Sequence, residues 1–395
     1  MVKRDRWDSS SEEDEEQGDN DATKKGKQHR TTTMPSQSGE SVPTNVSRGE
    51  GVSTASESHQ RGLKLHNPLL QGCRSVYDTY ERITRLSEGS YGIVWKARDM
   101  ATNEIVALKQ IKFDPDHQKN QGFPVTALRE ISVLLALNHE CIVTVKEMVV
   151  GDSNDKVFMV MEYMELDLQE AMKQKRRYPN LLRQAELKGI MKQVLSGTNE
   201  MHSKWFLHRD LKTSNVLVHR SGRVALCDFG LARRYQDPLK RLTQLVVTLW
   251  YRAPELLFGE DCYGPAVDMW SIGCIFGELI TNEAIMQGQG ELDQINKIFE
   301  MVGTPNDAIW PGFKKLPSAS IFRWKEIKSI ELPARFPINT PPHFKQTFLD
   351  GNGYDLLSSL LTLDPQRRIT AKKALEHPYF TTGVSPELPS FFEDQ

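Results

Sequence analysis

The hydrophobic pattern of this chain changes period once, near Tyr163, and that change restricts the fold more than any other feature. Before it, apolar and polar residues alternate in short runs. Residues 81–86 and 93–98 read as strands around a turn that holds Gly89 and Gly92, and residues 104–111 read as the next strand, ending in Lys109 and its neighbours. Pro124 then opens a helix, a position where the missing N–H costs nothing. Val125, Leu128, Ile131, Leu134 and Leu135 repeat there at helical spacing, and residues 143–150 and 156–161 return to strand-like alternation. After Tyr163 the pattern is mainly helical to about Phe380. A small strand-rich lobe with one helix (80–163), followed by a larger helical lobe (164–380), predicts an α+β protein with a cleft between two lobes.

Both ends read differently. Residues 1–79 are rich in Ser, Thr, Glu, Gln and Gly, lack apolar periodicity, and predict a disordered tail. An acidic block around Ser9 to Glu16 precedes a basic one from Lys24 to Arg30. A solvated tail, a phosphorylation site at Ser9 to Ser11 and a nuclear-import signal in the basic block all fit these charges. Residues 381–395 read as a short tail.

Charge and cysteine content narrow the function classes. A formal net charge of −2 over 395 residues argues against nucleic acid or a membrane surface as the main partner. No apolar run approaches the roughly 20 residues of a membrane helix. The five cysteines are scattered without metal-ligand spacing, and the charged start MVKRDRWD does not read as a secretory signal. A soluble intracellular protein is expected.

The chemistry is concentrated in five motifs that follow one another in order. In Ser87-Glu88-Gly89-Ser90-Tyr91-Gly92-Ile93-Val94, the two glycines let backbone N–H groups approach a polyphosphate. A third glycine would complete the phosphate-loop pattern, but its position holds Ser87. Lys109 ends a strand in Val-Ala-Leu-Lys and can pair with nucleotide phosphates if a carboxylate holds its ammonium; Glu130 on the following helix is the candidate. The stretch from His208 to Asn215, His-Arg-Asp-Leu-Lys-Thr-Ser-Asn, sets a carboxylate and an amide at the spacing of a phosphoryl-transfer loop. There Asp210 would accept a hydroxyl proton, Lys212 would neutralise the transferring group, and Asn215 would hold a magnesium ion. Asp228-Phe-Gly supplies a second metal ligand, and Ala253-Pro-Glu255 closes the series. Each motif alone is common; all of them in order are not. A phosphoryl-transfer transition state is loose, so positioning and charge neutralisation are what these residues can contribute.

On these residues the region 80–380 resembles a eukaryotic protein kinase domain and, within that superfamily, a cyclin-dependent kinase. Pro124-Val-Thr-Ala-Leu-Arg-Glu130 stands where that family carries its cyclin-binding helix, and the stretches DPLKRLTQLVVTLWYRAPELL, LDQINKIF and GTPNDAIWPG are similar to the PITSLRE subfamily. The resemblance implies ATP and Mg2+ as cofactors. It implies that Leu86, Val94, Ala107 and Leu217 enclose the adenine, that Met161 guards its rear, that Glu162 and Met164 bond its edge through their backbone, and that Asp167 meets the ribose. It also implies an activating phosphosite at Thr243, read by Arg129, Arg209 and Arg233, and an inhibitory pair at Ser90 and Tyr91. Val246, Val247 and Arg252 match the pocket that selects proline after the acceptor. Glu255 with Arg368 and Asp268 match structural braces, and Thr248 is placed to bond Asp210 and Lys212. A cyclin on the helix, of the L type, is the implied partner, Ser-Pro or Thr-Pro proteins the implied substrates, with no membrane and no direct nucleic-acid contact. Transcription, RNA processing or cell-cycle control is the implied process, and the nucleus, with the cytoplasm second, the implied compartment.

Overall fold

The computed structural model describes residues 73–89, 92–112, 123–152, 156–175, 182–243, 247–319, 327, 331–338 and 349–392. Eleven strands lie among them: β1 (Arg74–Ser75), β2 (Tyr80–Gly89), β3 (Gly92–Asp99), β4 (Ile105–Ile111), β5 (Val145–Val150), β6 (Val157–Glu162), β7 (Leu166–Asp167), β8 (Phe206–Leu207), β9 (Val216–Val218), β10 (Val224–Leu226) and β11 (Arg233–Arg234). The helices that matter below are α1 (Val76–Thr79), α2 (Val125–Ala136), α3 (Leu168–Lys175), α4 (Gln184–Ser203), α5 (Pro254–Leu257) and α6 (Ala266–Thr281).

The small lobe is a six-stranded sheet in the order β1-β5-β6-β4-β3-β2, antiparallel except for the β1–β5 pair, with α2 beside it. Its register decides which side chains meet. Lys109 lies opposite Val94 on one side and Met159 on the other, and Ala107 lies opposite Met161. Residues directly opposite share a face, and so do residues two apart, so Val94, Ala107, Lys109 and Met161 all present to one side of the sheet.

Order begins earlier than the alternation suggested. Arg74 and Ser75 pair with Val149 and Val150, Val76 is fully buried, and the Tyr80 hydroxyl donates to Glu147 at 2.6 Å. Arg74 closes an ion pair with the same carboxylate. The onset of ordered structure, read as residue 80, is therefore corrected to about 74; a two-residue parallel strand is too short to show a period. Residues 1–72, with the acidic and basic blocks, lie outside the described residues.

The large lobe is built around α6, whose residues from Val267 to Ile280 are all buried. A helix apolar on every side belongs inside a core, and α6 sits there. A three-stranded sheet, β10-β9-β7, interrupts the mainly helical pattern and sets Asp167 opposite Leu217 under the cleft. Two backbone bonds join the lobes: Val143 N–H donates to the Leu226 carbonyl at 3.0 Å and Leu226 N–H to the Cys141 carbonyl at 2.9 Å.

The reading of residues 381–395 as a tail is also corrected, because residues 381–392 form a strap across the N-terminal half of α4. The Lys188 ammonium, its side chain fully buried, donates to the Thr382 and Val384 carbonyls at 2.7 and 3.2 Å. Glu387 N–H donates to Ala185 O at 2.9 Å, and Ser390 donates to Glu186 through both its N–H and its hydroxyl, at 3.0 and 2.6 Å. A Cβ at Gly189 would stand 1.7 Å from the Glu387 carbonyl, so only glycine lets the strap lie this close. These contacts are mostly backbone bonds to two charged residues, which leaves no hydrophobic period to read.

Candidate active site

Between the lobes lies a cleft of about 650 Å³. Lys109 reaches into it from β4 and Glu130 from the buried face of α2. The Lys109 ammonium contacts both oxygens of Glu130, at 2.7 and 2.9 Å, and lies 3.6 Å from Asp228 Oδ1. Burial opposes a charge on Lys109, but the carboxylates of Glu130 and Asp228 outweigh it and hold the lysine protonated above its usual range.

The loop from His208 to Asn215 hangs from one buried carboxylate. Asp268 Oδ2 accepts from the backbone of His208 at 3.0 Å and Oδ1 from the backbone of Arg209 at 2.9 Å, while His202 Nε2 stands 2.9 Å from Oδ2. Burial alone would raise the Asp268 carboxyl; its bond to His202 and the nearby imidazoles and backbone donors hold it below the usual aspartate range. The brace fixes an unfavourable backbone, since Arg209 has φ of +68°. Asp210 then faces the cleft with both oxygens engaged. Lys212 Nζ and Asn215 Nδ2 donate to Oδ2 at 2.8 and 3.0 Å, and the Thr248 hydroxyl donates to Oδ1 at 3.0 Å. Lys212 also reaches the Thr248 hydroxyl at 3.2 Å.

The donor set suits a hard divalent cation. Asn215 commits its amide nitrogen to Asp210, at the backbone carbonyl (2.7 Å) and the carboxylate, which turns its oxygen to the other side. Asp228 sits in the left-handed region, with φ of +60°, and its Oδ1 is buried without a hydrogen-bond donor. A carboxylate oxygen without a hydrogen-bond donor, lining the same cleft as an amide, suits magnesium, which takes one or two protein oxygens and completes its shell with phosphate and water. Asn215 and Asp228 are the residues that would hold it.

The other candidates divide. Leu86, Ser87, Gly92, Val94, Ala107, Met161, Glu162, Met164, Asp167 and Leu217 line the same cleft. Ile93 does not: it pairs with Glu88 and Gln110 on the opposite pleat from Val94, so its assignment to the nucleotide site is corrected. Glu88 and Gly89 close the hairpin opposite Ile93 and Gly92, while Ser90, Tyr91 and Val246 lie outside the described residues. The Glu162 carboxylate is taken by Arg223 and by Thr144 N–H at 2.9 Å, so the side chain is held away from a ligand role. Asp167 caps α3 by accepting from Glu170 N–H at 2.8 Å, and burial raises its carboxyl despite that bond. Val143, Ser214 and Cys227 also line the cleft; Ser214 sits inside the His208–Asn215 motif without a role of its own in it, and no motif covers Val143 or Cys227.

The protein kinase domain family matches residues 80–380, more than half of the chain. The chain belongs to the protein kinase family. Two of the three relatives below carry cyclin-dependent kinase names. The chain is 49% identical over 326 residues to cyclin-dependent kinase G-2 of Oryza sativa subsp. japonica, covering 82% of this chain and 44% of the relative. It is 46% identical over 330 residues to cyclin-dependent kinase 11B of Homo sapiens, covering 84% and 40%. It is 47% identical over 331 residues to serine/threonine-protein kinase ppk23 of Schizosaccharomyces pombe, covering 84% and 79%. The chain thus spans less than half the length of the first two.

In this kinase domain the segment after Asp228 is held at several points. Arg209 Nη1 donates to the Thr243 hydroxyl at 3.2 Å and to the Tyr263 hydroxyl at 2.7 Å, and its Nε donates to Leu231 O at 2.8 Å. Arg129 reaches Gly230 O at 3.5 Å. Arg233 has a buried Nη1 without an acceptor, and burial lowers its pKa. Of the three arginines, Arg209 touches Thr243 and the other two stand short of it. Val247 has φ of +69°, and Arg252 draws the Val247 carbonyl to itself with bonds of 3.3 and 3.1 Å. Glu255 and Arg368 form a buried two-bond ion pair at 2.7 and 2.9 Å. No helix among the described residues is long and apolar enough to cross a membrane.

Proposed function

We propose that this chain is a cyclin-activated serine/threonine kinase that transfers the γ-phosphoryl group of ATP to hydroxyls followed by proline. The observation that carries this reading is the closed Lys109–Glu130 contact facing the same cleft as Asp210, Asn215 and Asp228. ATP with Mg2+, when bound, supplies the electrophilic phosphorus and the charge that neutralises its leaving oxygens. Lys109 orients the phosphates, and Asn215 and Asp228 hold the metal. Asp210 receives the proton of the acceptor hydroxyl, while Lys212 offsets charge on the transferring group. Leu86, Val94, Ala107 and Leu217 enclose the base. Because Arg252 turns the Val247 carbonyl away from the acceptor path, a substrate residue without an N–H loses no bond there.

A cyclin is the activating partner in this reading. Val125, Leu128 and Leu135 are 61%, 49% and 71% exposed on α2, an apolar surface on the helix that carries Glu130. A partner seated there biases α2 toward the position in which Glu130 meets Lys109. The cyclin-dependent names of the relatives support the same partner class, with an L-type cyclin, a nuclear location and a role in transcription, RNA processing or cell-cycle control as its extension. The test is phosphate transfer by the cyclin-bound enzyme to a Ser-Pro peptide and to its Ser-Ala counterpart. Transfer to the first and little to the second is expected; equal rates would remove the proline preference. Leu128→Asp should abolish cyclin co-purification, and undiminished binding would remove α2 as the docking helix.

A further inference from the structure

Thr243 is tied down before any phosphate reaches it. Its main-chain carbonyl accepts from the Tyr263 hydroxyl, and that hydroxyl accepts from Arg209 Nη1 at 2.7 Å, while the same Nη1 donates to Thr243 Oγ1 at 3.2 Å. The three groups close a ring. Each corner is anchored elsewhere: Arg209 by Asp268 through its backbone and by Leu231 O through Nε, and Tyr263 by burial. Burial raises the Tyr263 hydroxyl's pKa although the Arg209 charge works against the rise, so the hydroxyl keeps its proton and can donate to the carbonyl. Arg129 and Arg233 take no part, since one points to Gly230 O and the other has an unpartnered buried nitrogen.

We propose that Tyr263 is a positioning residue that orders the Thr243 segment in the unmodified protein, linking it to the arginine beside Asp210 and making activity partly independent of phosphorylation at Thr243. The proposal rests on the kinase reading given above. The bond runs to a main-chain carbonyl, so it does not depend on the threonine hydroxyl that a phosphate would occupy. A phosphate on Thr243 would bring its own acceptors to Arg209 and to the waiting Arg233, and the tyrosine tie would then matter less.

Tyr263→Phe removes one oxygen and keeps the buried ring. Rates are compared for phosphatase-treated and Thr243-phosphorylated protein, each cyclin-bound, in wild type and variant. A hydrogen bond to a charged group predicts a loss of about tenfold in kcat/KM in the unmodified protein, and less than about threefold once Thr243 is phosphorylated. Equal losses in both states would mean a merely structural role, and no loss in either would mean no role; both overturn the proposal. Amide hydrogen exchange over residues 235–243 of the unmodified protein gives a readout separate from transfer. Faster exchange in Tyr263→Phe than in wild type is expected, and unchanged exchange would refute the tie even in a chain that transfers no phosphate.

Discussion

Arg368→Met tests the large lobe at its most heavily committed side chain. The guanidinium donates twice to Glu255, at 2.7 and 2.9 Å, and to the carbonyls of Thr362, Ala266 and Leu363 at 2.9, 2.7 and 3.1 Å. It also lies 5.1 Å from the centre of the Trp270 ring. Both charged side chains are almost wholly removed from water, so water cannot replace what methionine lacks. Losing one partner of such a pair costs about 3–5 kcal/mol, because an ionised Glu255 is left in a dry site. Methionine keeps the apolar stem over Trp270, so the loss reports the ion pair more than the packing. Urea unfolding followed by tryptophan fluorescence measures it. A second variant, Arg368→Met with Glu255→Leu, should recover much of the loss, since replacing both charges with apolar groups is often neutral. A cost below about 1 kcal/mol for the single variant would put the pair in the class of surface ion pairs and refute the argument from burial.

Two further outcomes follow from the same reasoning. The folded-state pKa of Asp268 is depressed, so its charge stabilises the fold above the unfolded pKa of about 4 and loses that effect as pH falls through the lower folded value. The stability gap between wild type and Asp268→Asn should therefore be widest near neutrality and shrink in acid; a gap that stays constant from neutral to strongly acidic pH would contradict the depressed pKa. Ending the chain at Phe380 should lower the melting temperature by more than about 4 °C, because Lys188 and Glu186 lose the strap that satisfies them; an unchanged melting temperature would make the strap incidental.

Residues whose chemistry demands one side chain at one spacing were legible in the sequence. Lys109, Glu130, Asp210, Asn215 and Asp228 come from four separate stretches, and the fold brings them to one cleft. The α+β division at Tyr163 was legible because strand and helix periods differ. What escaped reading was held by backbone or by a single distant contact. The β1 strand pairs over two residues, and the strap at 381–392 is fixed through carbonyls to Lys188. Tyr263 reaches Thr243 across twenty positions with no motif around it. Ile93 stands among the loop residues in sequence, but the pleat sends alternate residues to opposite faces. His202, packed under Asp268, looks from sequence like any helix residue, and only the carboxylate it meets gives it a role.

The most direct test is transfer of the terminal phosphoryl of ATP by the purified, cyclin-bound Asp210→Asn protein. An amide cannot take the acceptor proton, yet it fits the same space; its single oxygen can still accept from Lys212, and its nitrogen can donate to the Thr248 hydroxyl. The rate should fall by about a hundredfold or more, with an unchanged circular dichroism spectrum and unchanged nucleotide binding. Transfer at the wild-type rate would contradict the assignment of Asp210 as the base, and with it the mechanism drawn from this cleft.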